Sequence, residues 1–186
     1  MIKHLILLSF SLLMTVAAAN AQKYITKTAL ISFYSETPVE TIEAVNHQVN
    51  SALDTETGNF VFKVLMRSFE FEKALMQEHF NENYVESDKY PNATFTGKIL
   101  NLSEIDFEKP GQYKAIVEGT LTIHGVSRQI SEQGTLKVEP GVVQATSKFI
   151  IRPEDYKIRI PKTVINNIAG EIEVTVDARL EELTVR

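Results

Sequence analysis

Three of the four histidines, one basic cluster and a scatter of carboxylates are the side chains of this chain equipped to do chemistry. His47, His79 and His124 could in number hold a metal ion, but their spacings match no ligand motif and they fall on three different expected elements. No metal site and no cofactor are expected. Arg152, Lys157, Arg159 and Lys162 surround Pro153 and Pro161. Two accounts of that run are open: a seat for an anionic head group such as a pyrophosphate, or solvated loop charge. Arg152 is the member singled out, with Asp155 placed to hold it through a bidentate pair. His124 stands beside Gly125 and reads as a hydrogen-bonding residue that fixes a turn, with contact to a ligand head group as the second reading.

Catalytic signatures are absent from the sequence. It contains no Gly-x-Ser-x-Gly elbow, phosphate-binding glycine loop, His-Glu-x-x-His helix or cysteine nucleophile. Glu70, Glu72 and Glu78 share a segment whose other face is apolar, so they read as a solvated stripe. Binding is therefore expected rather than catalysis, with two rivals. One is an enzyme acting on a lipid-like substrate through His124 and a nearby carboxylate. The other is a stress-related module that binds protein through its loops.

The elements that must carry these residues are mostly strands. Over residues 113 to 124, Tyr113, Ala115, Val117, Leu121 and Ile123 alternate with Lys114, Glu118, Thr120, Thr122 and His124, giving one dry face and one wet face. Gly119 falls on the dry face, where a missing side chain either lets the sheet bend or lets something approach the backbone. Further strands are expected through Tyr24 to Tyr34, Phe60 to Phe69, Ala93 to Leu100, Ser127 to Val138 and Val143 to Ile151. The last strand, through Ile172, Val174, Val176, Ala178 and Leu180, alternates most cleanly. Two segments look helical. Thr37 can cap a first helix with Pro38 at its first position, Glu40 completing a capping box and Val39, Ile42 and Val45 forming its stripe. A second is expected from Glu70 to Phe80, built on Phe71, Ala74, Leu75 and Phe80. The pattern is mainly β, one antiparallel sheet with two short helices.

Residues 1–21 read as a secretory signal, with Lys3, an apolar run from Leu5 to Val16 and the small-residue pattern Ala19-Asn20-Ala21. Residues 22–186 then form one domain, long enough to bury a core without staples. The chain has no cysteine, so a lipid-modified cysteine anchor and a disulfide framework are excluded, and no other segment is long and apolar enough for a transmembrane anchor. A periplasmic or secreted protein is expected. Its formal net charge is −5, and loss of Lys3 makes it one unit more acidic, which disfavours nucleic acid as a partner.

Four sequence pieces in order give the chain a resemblance: Gly58-x-Phe60; Tyr90-Pro91-x-x-Thr94-Phe95; Gly119-x-Leu121-Thr122-Ile123-His124-Gly125-Val126; and Phe149-x-x-Arg152-x-x-Asp155-Tyr156. It resembles the YceI-like family of exported, lipocalin-like proteins that bind polyisoprenoids and related lipids. There are departures. Tyr24 stands where the family often opens its first strand with Trp, and the family's arginine-aspartate-x-histidine-leucine helix is matched only by His79-Phe80, with Met76 and Gln77 in place of the charged pair. A role for those charges does not transfer.

The resemblance implies an eight-stranded antiparallel lipocalin-like barrel holding an isoprenoid or other long-chain lipid, such as a quinone or a prenyl phosphate. A barrel of about eight strands can enclose one small ligand. The candidate cavity or lid residues are Phe60, Phe62, Phe69, Phe71, Leu75, Met76, Phe80, Phe95, Leu121 and Phe149, which periodicity alone would equally place in a filled core. Gly119, His124 and Arg152 complete the candidate ligand-binding set. A homodimer through an exposed apolar mouth is the one assembly left open.

Overall fold

The computed structural model of the chain describes residues 22–184, so the expected secretory signal at residues 1–21 lies outside the described residues. Nine antiparallel strands run in chain order: β1 (Lys23–Glu36), β2 (Thr41–Asp54), β3 (Asn59–Leu65), β4 (Phe69–Phe71), β5 (Asn92–Ile99), β6 (Gly111–Ile123), β7 (Val126–Glu139), β8 (Val142–Ile151) and β9 (Ile172–Glu182). The sheet order is β1-β9-β8-β7-β6-β5-β3-β2-β4, and pairing of β1 with β2 closes it on itself. Strands β3 and β4 pair successive stretches of β2, at Val49–Leu53 and Ala44–Asn46, so together they fill one place in the wall. The result is the expected closed barrel of eight strand positions, in which β1 and β2 pair where an open sheet would end.

The structure corrects the first expected helix. The segment from Thr41 onward is β2, and Thr37 to Glu40 is the turn that leads into it. Thr37 does make cap-like bonds, its Oγ1 accepting from the backbone N–H of Val39 and Glu40 at 3.2 and 3.0 Å, but they stabilise a hairpin turn. We expect Thr37→Ala to lower stability by about 1 kcal/mol, measured by urea denaturation. The period was misleading for a physical reason. Val39 is 64% exposed in the turn and Val45 stands between buried Ala44 and Asn46, so the apolar spacing of three joined residues that do not share the inward row. Between Ala29 and Ile31 the β1 chain advances two residues while β2 advances three, from Val49 to Asn46, so a bulge then interrupts the alternation. Asn46 is fully buried at this bulge; its Nδ2 donates to the Leu65 carbonyl and its Oδ1 accepts from Gln48 N–H, both at 2.8 Å.

The second expected helix is shorter than its pattern suggested. Phe69–Phe71 belong to β4, and α1 covers only Ala74–His79, continued by a wider helical turn over Phe80–Tyr84. One short α-helix therefore replaces the expected two among the described residues.

The interior is packed unevenly. Tyr24, Leu53, Ile99, Val138, Val143 and Leu180 are almost wholly buried and fill the end of the barrel that carries the β2–β3 and β7–β8 turns. The opposite end is covered by the β1–β2 turn, residues 72–91, the His124-Gly125 turn and the long β8–β9 connection. Gly119 faces Gly97 directly across the β5–β6 ladder. What approaches its backbone is the neighbouring strand, since a Cβ there would collide with Gly97 Cα and the Thr96 carbonyl and sit 2.9 Å from Gly97 N.

Candidate functional site

An apolar cavity of about 360 Å³ occupies the loop-covered half of the barrel. Phe60, Phe62 and Phe69 line it from β3 and β4, with Phe71 at the β4 end. Phe95, Leu121 and Phe149 line it from β5, β6 and β8, and Met76 and Phe80 come down on it from the helical segment. Nine of the ten nominated cavity or lid residues thus meet around one space. Leu75 does not: it is 60% exposed on the outer side of α1, because Met76, His79 and Phe80, at spacings of three and four, take the inward face.

The aromatic rings form a connected wall. Phe33 stacks with Phe80 at a centroid separation of 5.5 Å and meets Phe69 and Phe71 at 5.3 and 5.7 Å. Phe71 and Phe80 are 5.1 Å apart. Such pairs add modest attraction beyond area burial and hold the helical segment over the mouth. Phe33 was missed as a site residue, although its place two residues after Ile31 in an alternating strand was a usable signal. The β8–β9 connection was missed too. Ile158, Ile160, Val164 and Ile168 line the cavity from a stretch in which the basic residues had drawn attention.

Polar contacts fasten the cover. The Glu40 carboxylate accepts from Lys73 Nζ and Asn167 Nδ2, each at 3.1 Å, joining the β1–β2 turn, the β4–α1 joint and the β8–β9 connection. These two donors, Asn167 first, hold its carboxyl below the usual carboxylate range. Ser35 Oγ accepts from Ala169 N–H at 2.9 Å beside them.

His124 lies away from the cavity lining and acts on a turn. It and Gly125 adopt positive φ, 51° and 71°, in the two-residue loop between the paired Ile123 and Val126. Its Nδ1 is 3.1 Å from the Tyr156 carbonyl, its Nε2 is 2.6 Å from a Glu86 carboxylate oxygen, and Tyr90 packs edge-on against its ring at 4.6 Å. Three separated segments are tied together there. The His124 hydrogen bond holds the Glu86 carboxyl below its ordinary value. A depressed folded-state value contributes stability above the unfolded value and loses it as pH falls through the folded one. Wild type and Glu86→Gln are therefore expected to differ in urea midpoint at neutral pH and to converge as the solution is acidified below the ordinary glutamate range.

Arg152 is exposed, and its partner is not the one expected. Its Nε and Nη2 donate to one Glu171 oxygen at 3.1 and 2.5 Å, while Asp155 faces Arg128 at 3.8 Å. The swap follows from the chain turning at Pro153–Tyr156, which carries Asp155 towards β7. His47 is exposed on β2, far along the chain from His79 on α1 and His124 in its turn, and among the described residues no group of three His, Cys, Asp or Glu is placed to hold a metal. No described helix is long and apolar enough to cross a membrane.

A closed antiparallel barrel, solid at one end and hollow at the other under a helical cover, defines a protein of the lipocalin-like class. The chain belongs to the YceI-like family, whose domain model matches residues 20–180. Among solved structures it is similar to a polyisoprenoid binding domain from Saccharophagus degradans, at 16% identity and a TM-score of 0.76, covering 88% of this chain and 99% of that one. BcnA of Burkholderia cenocepacia is similar at 15% identity and 0.65, over 82% and 95%. The Campylobacter jejuni YCEI protein follows at 16% and 0.53, over 100% and 91%. At these identities the likeness speaks for the fold. No curated protein matches the chain by sequence.

Proposed function

We propose that this protein is an exported carrier that binds the chain of an isoprenoid-type amphiphile in the barrel cavity and leaves it chemically unchanged. The observation that carries the reading is the uneven interior: one half is filled by almost wholly buried side chains, and the other keeps an apolar space of about 360 Å³. Apolar walls that face a gap lack partner atoms on that side, so an apolar occupant is the natural complement.

With about 30 Å³ for a water-sized group, the space takes roughly a dozen of them, or two to three isoprene units. Each five-carbon unit contributes roughly 3 to 4 kcal/mol of gross transfer energy before ordering costs. The polyisoprenoid binding named for the Saccharophagus degradans neighbour, together with the shared fold, supports the same ligand class. Carrying rather than catalysis is supported by the lining. Its ionisable members are Glu40, Glu132, His79 and Tyr84; the two carboxylates come from separate elements, Glu40 is occupied by Lys73 and Asn167, and His124, the base of the enzymatic reading, is outside it.

The test is extraction of the purified full-length protein into organic solvent followed by mass spectrometry, alongside titration with farnesol. A bound isoprenoid-type lipid near one equivalent, or saturable farnesol binding, is expected. Absence of both would sink the reading.

A further inference from the structure

The barrel wall is forked between β7 and β8. Backbone pairing climbs from Glu139 and Val142 to Gly134 and Ser147 and stops. Beyond that point the Val126–Gln133 half of β7 pairs only with β6, and Lys148–Ile151 pairs only with β9. Ser147 Oγ donates to the Gln133 carbonyl at 2.7 Å and ties off the base of the fork. The apolar cavity runs into this opening, for exposed Gln133 and Thr146 line it along with buried Leu136 and Ala145.

Outside the fork lies a second hollow, bordered by Arg128, Gln129, Arg152, Asp155, Tyr156 and Glu171. Ile130, Glu132, Phe149 and Ile151 line both spaces, so the apolar interior and the polar hollow share one threshold. Unpaired strand edges need water or another partner, and a threshold with greasy and polar sides suits an amphiphile.

We propose that the β7–β8 fork is a lateral portal, with the tail of the ligand in the barrel and an uncharged, hydroxyl-bearing head group in the outer hollow donating a hydrogen bond to Glu132. This rests on the carrier reading and narrows its ligand class. The charges choose the head group. Both guanidiniums at the hollow are engaged, Arg128 by Asp155 and Arg152 by Glu171, so a diphosphate would meet three carboxylates with no free cation among these residues. Glu132 is the carboxyl at the threshold, and burial pushes its pKa up. A donor such as a prenyl alcohol or a quinol hydroxyl satisfies it.

The experiment uses the full chain and three probes with a common tail: farnesol, farnesyl diphosphate and the hydrocarbon farnesene, each displacing N-phenyl-1-naphthylamine. Farnesol is expected to bind at least about tenfold more tightly than the diphosphate. Glu132→Ala is expected to weaken farnesol about tenfold and leave farnesene unchanged, as loss of one hydrogen bond to a carboxylate requires. Because the chain has no cysteine, an environment-sensitive dye can be placed singly through Gln129→Cys at the hollow or Val39→Cys at the covered end. A farnesol-dependent shift at Gln129 and none at Val39 is expected.

A shift only at Val39, tighter binding of the diphosphate, or an equal loss of farnesol and farnesene in Glu132→Ala would overturn the portal while sparing the carrier reading. Failure of all three probes to bind the unaltered protein, with no isoprenoid-type lipid in its solvent extract, would overturn both.

Discussion

Val176→Trp is expected to abolish useful binding of isoprenoid tails while leaving the barrel folded. Val176 lines the cavity from β9, between Val174 and Ala178 on the inward row. An indole there fills space otherwise available to at least one isoprene unit. Losing about 3 to 4 kcal/mol of burial weakens farnesol more than a hundredfold. In a close-packed core the same enlargement would cost about 1 to 3 kcal/mol through strain. Here the void absorbs the ring, so the melting temperature should hold or rise. Val143→Trp at the solid end is the contrast, because Val143 is fully buried outside the cavity lining and has no such space. Farnesol titration and thermal melts of the two variants separate the hollow half from the filled one. Undiminished binding by Val176→Trp would mean that the ligand lies elsewhere.

The second large effect is on stability. Gly119→Ala should cost roughly 2 to 3 kcal/mol, because the added methyl meets backbone of the paired strand at Gly97 and Thr96, and backbone cannot swing aside. For a domain of this size that lowers the melting temperature by roughly 4 to 12 °C. Gly170→Ala serves as the control: no atom lies within 4 Å of the added carbon, and the change should stay within about 0.5 kcal/mol. A neutral Gly119→Ala in urea denaturation would show that β5 and β6 can separate at this pair.

Much of the wall was legible from residue pattern. In β6 and β9 the apolar row has a period of two, and only one register hides it from water, so strand identity and inward face follow together. Strand β2 escaped because its inward row includes Asn46 and Ser51 and is broken by a bulge, and each of these two side chains donates to a backbone carbonyl that lies 10 to 19 residues away. No local pattern announces such a partner. The same holds for Arg152, whose partner Glu171 enters with β9 after a long connection.

Eight residues of the pieces that carry the family resemblance fall into two groups in space. Phe60, Phe95, Leu121 and Phe149 line the cavity, whereas Tyr90, His124, Gly125 and Tyr156 gather at one hairpin turn. A Cβ on Gly125 would sit 2.5 Å from the Tyr90 ring, so tyrosine and glycine are matched in shape. The second group is a structural lock between the β6–β7 hairpin and the loops over the cavity. Its chemistry is geometric, even though a histidine and a glutamate stand at its centre.

Residue order alone determined that this chain makes a mostly antiparallel sheet, which side of most strands turns inward, and that large apolar side chains gather on that side. It could do so because alternation and turn chemistry are local properties, set within a few residues of one another. Whether those side chains meet or stand apart was decided only by the tertiary structure. The eight strand positions set the width of the barrel, the paired glycines draw β5 and β6 together, and the helical cover and the fork between β7 and β8 determine where the interior stays empty. An empty space belongs to no residue, since it is the distance left between walls built from opposite ends of the chain.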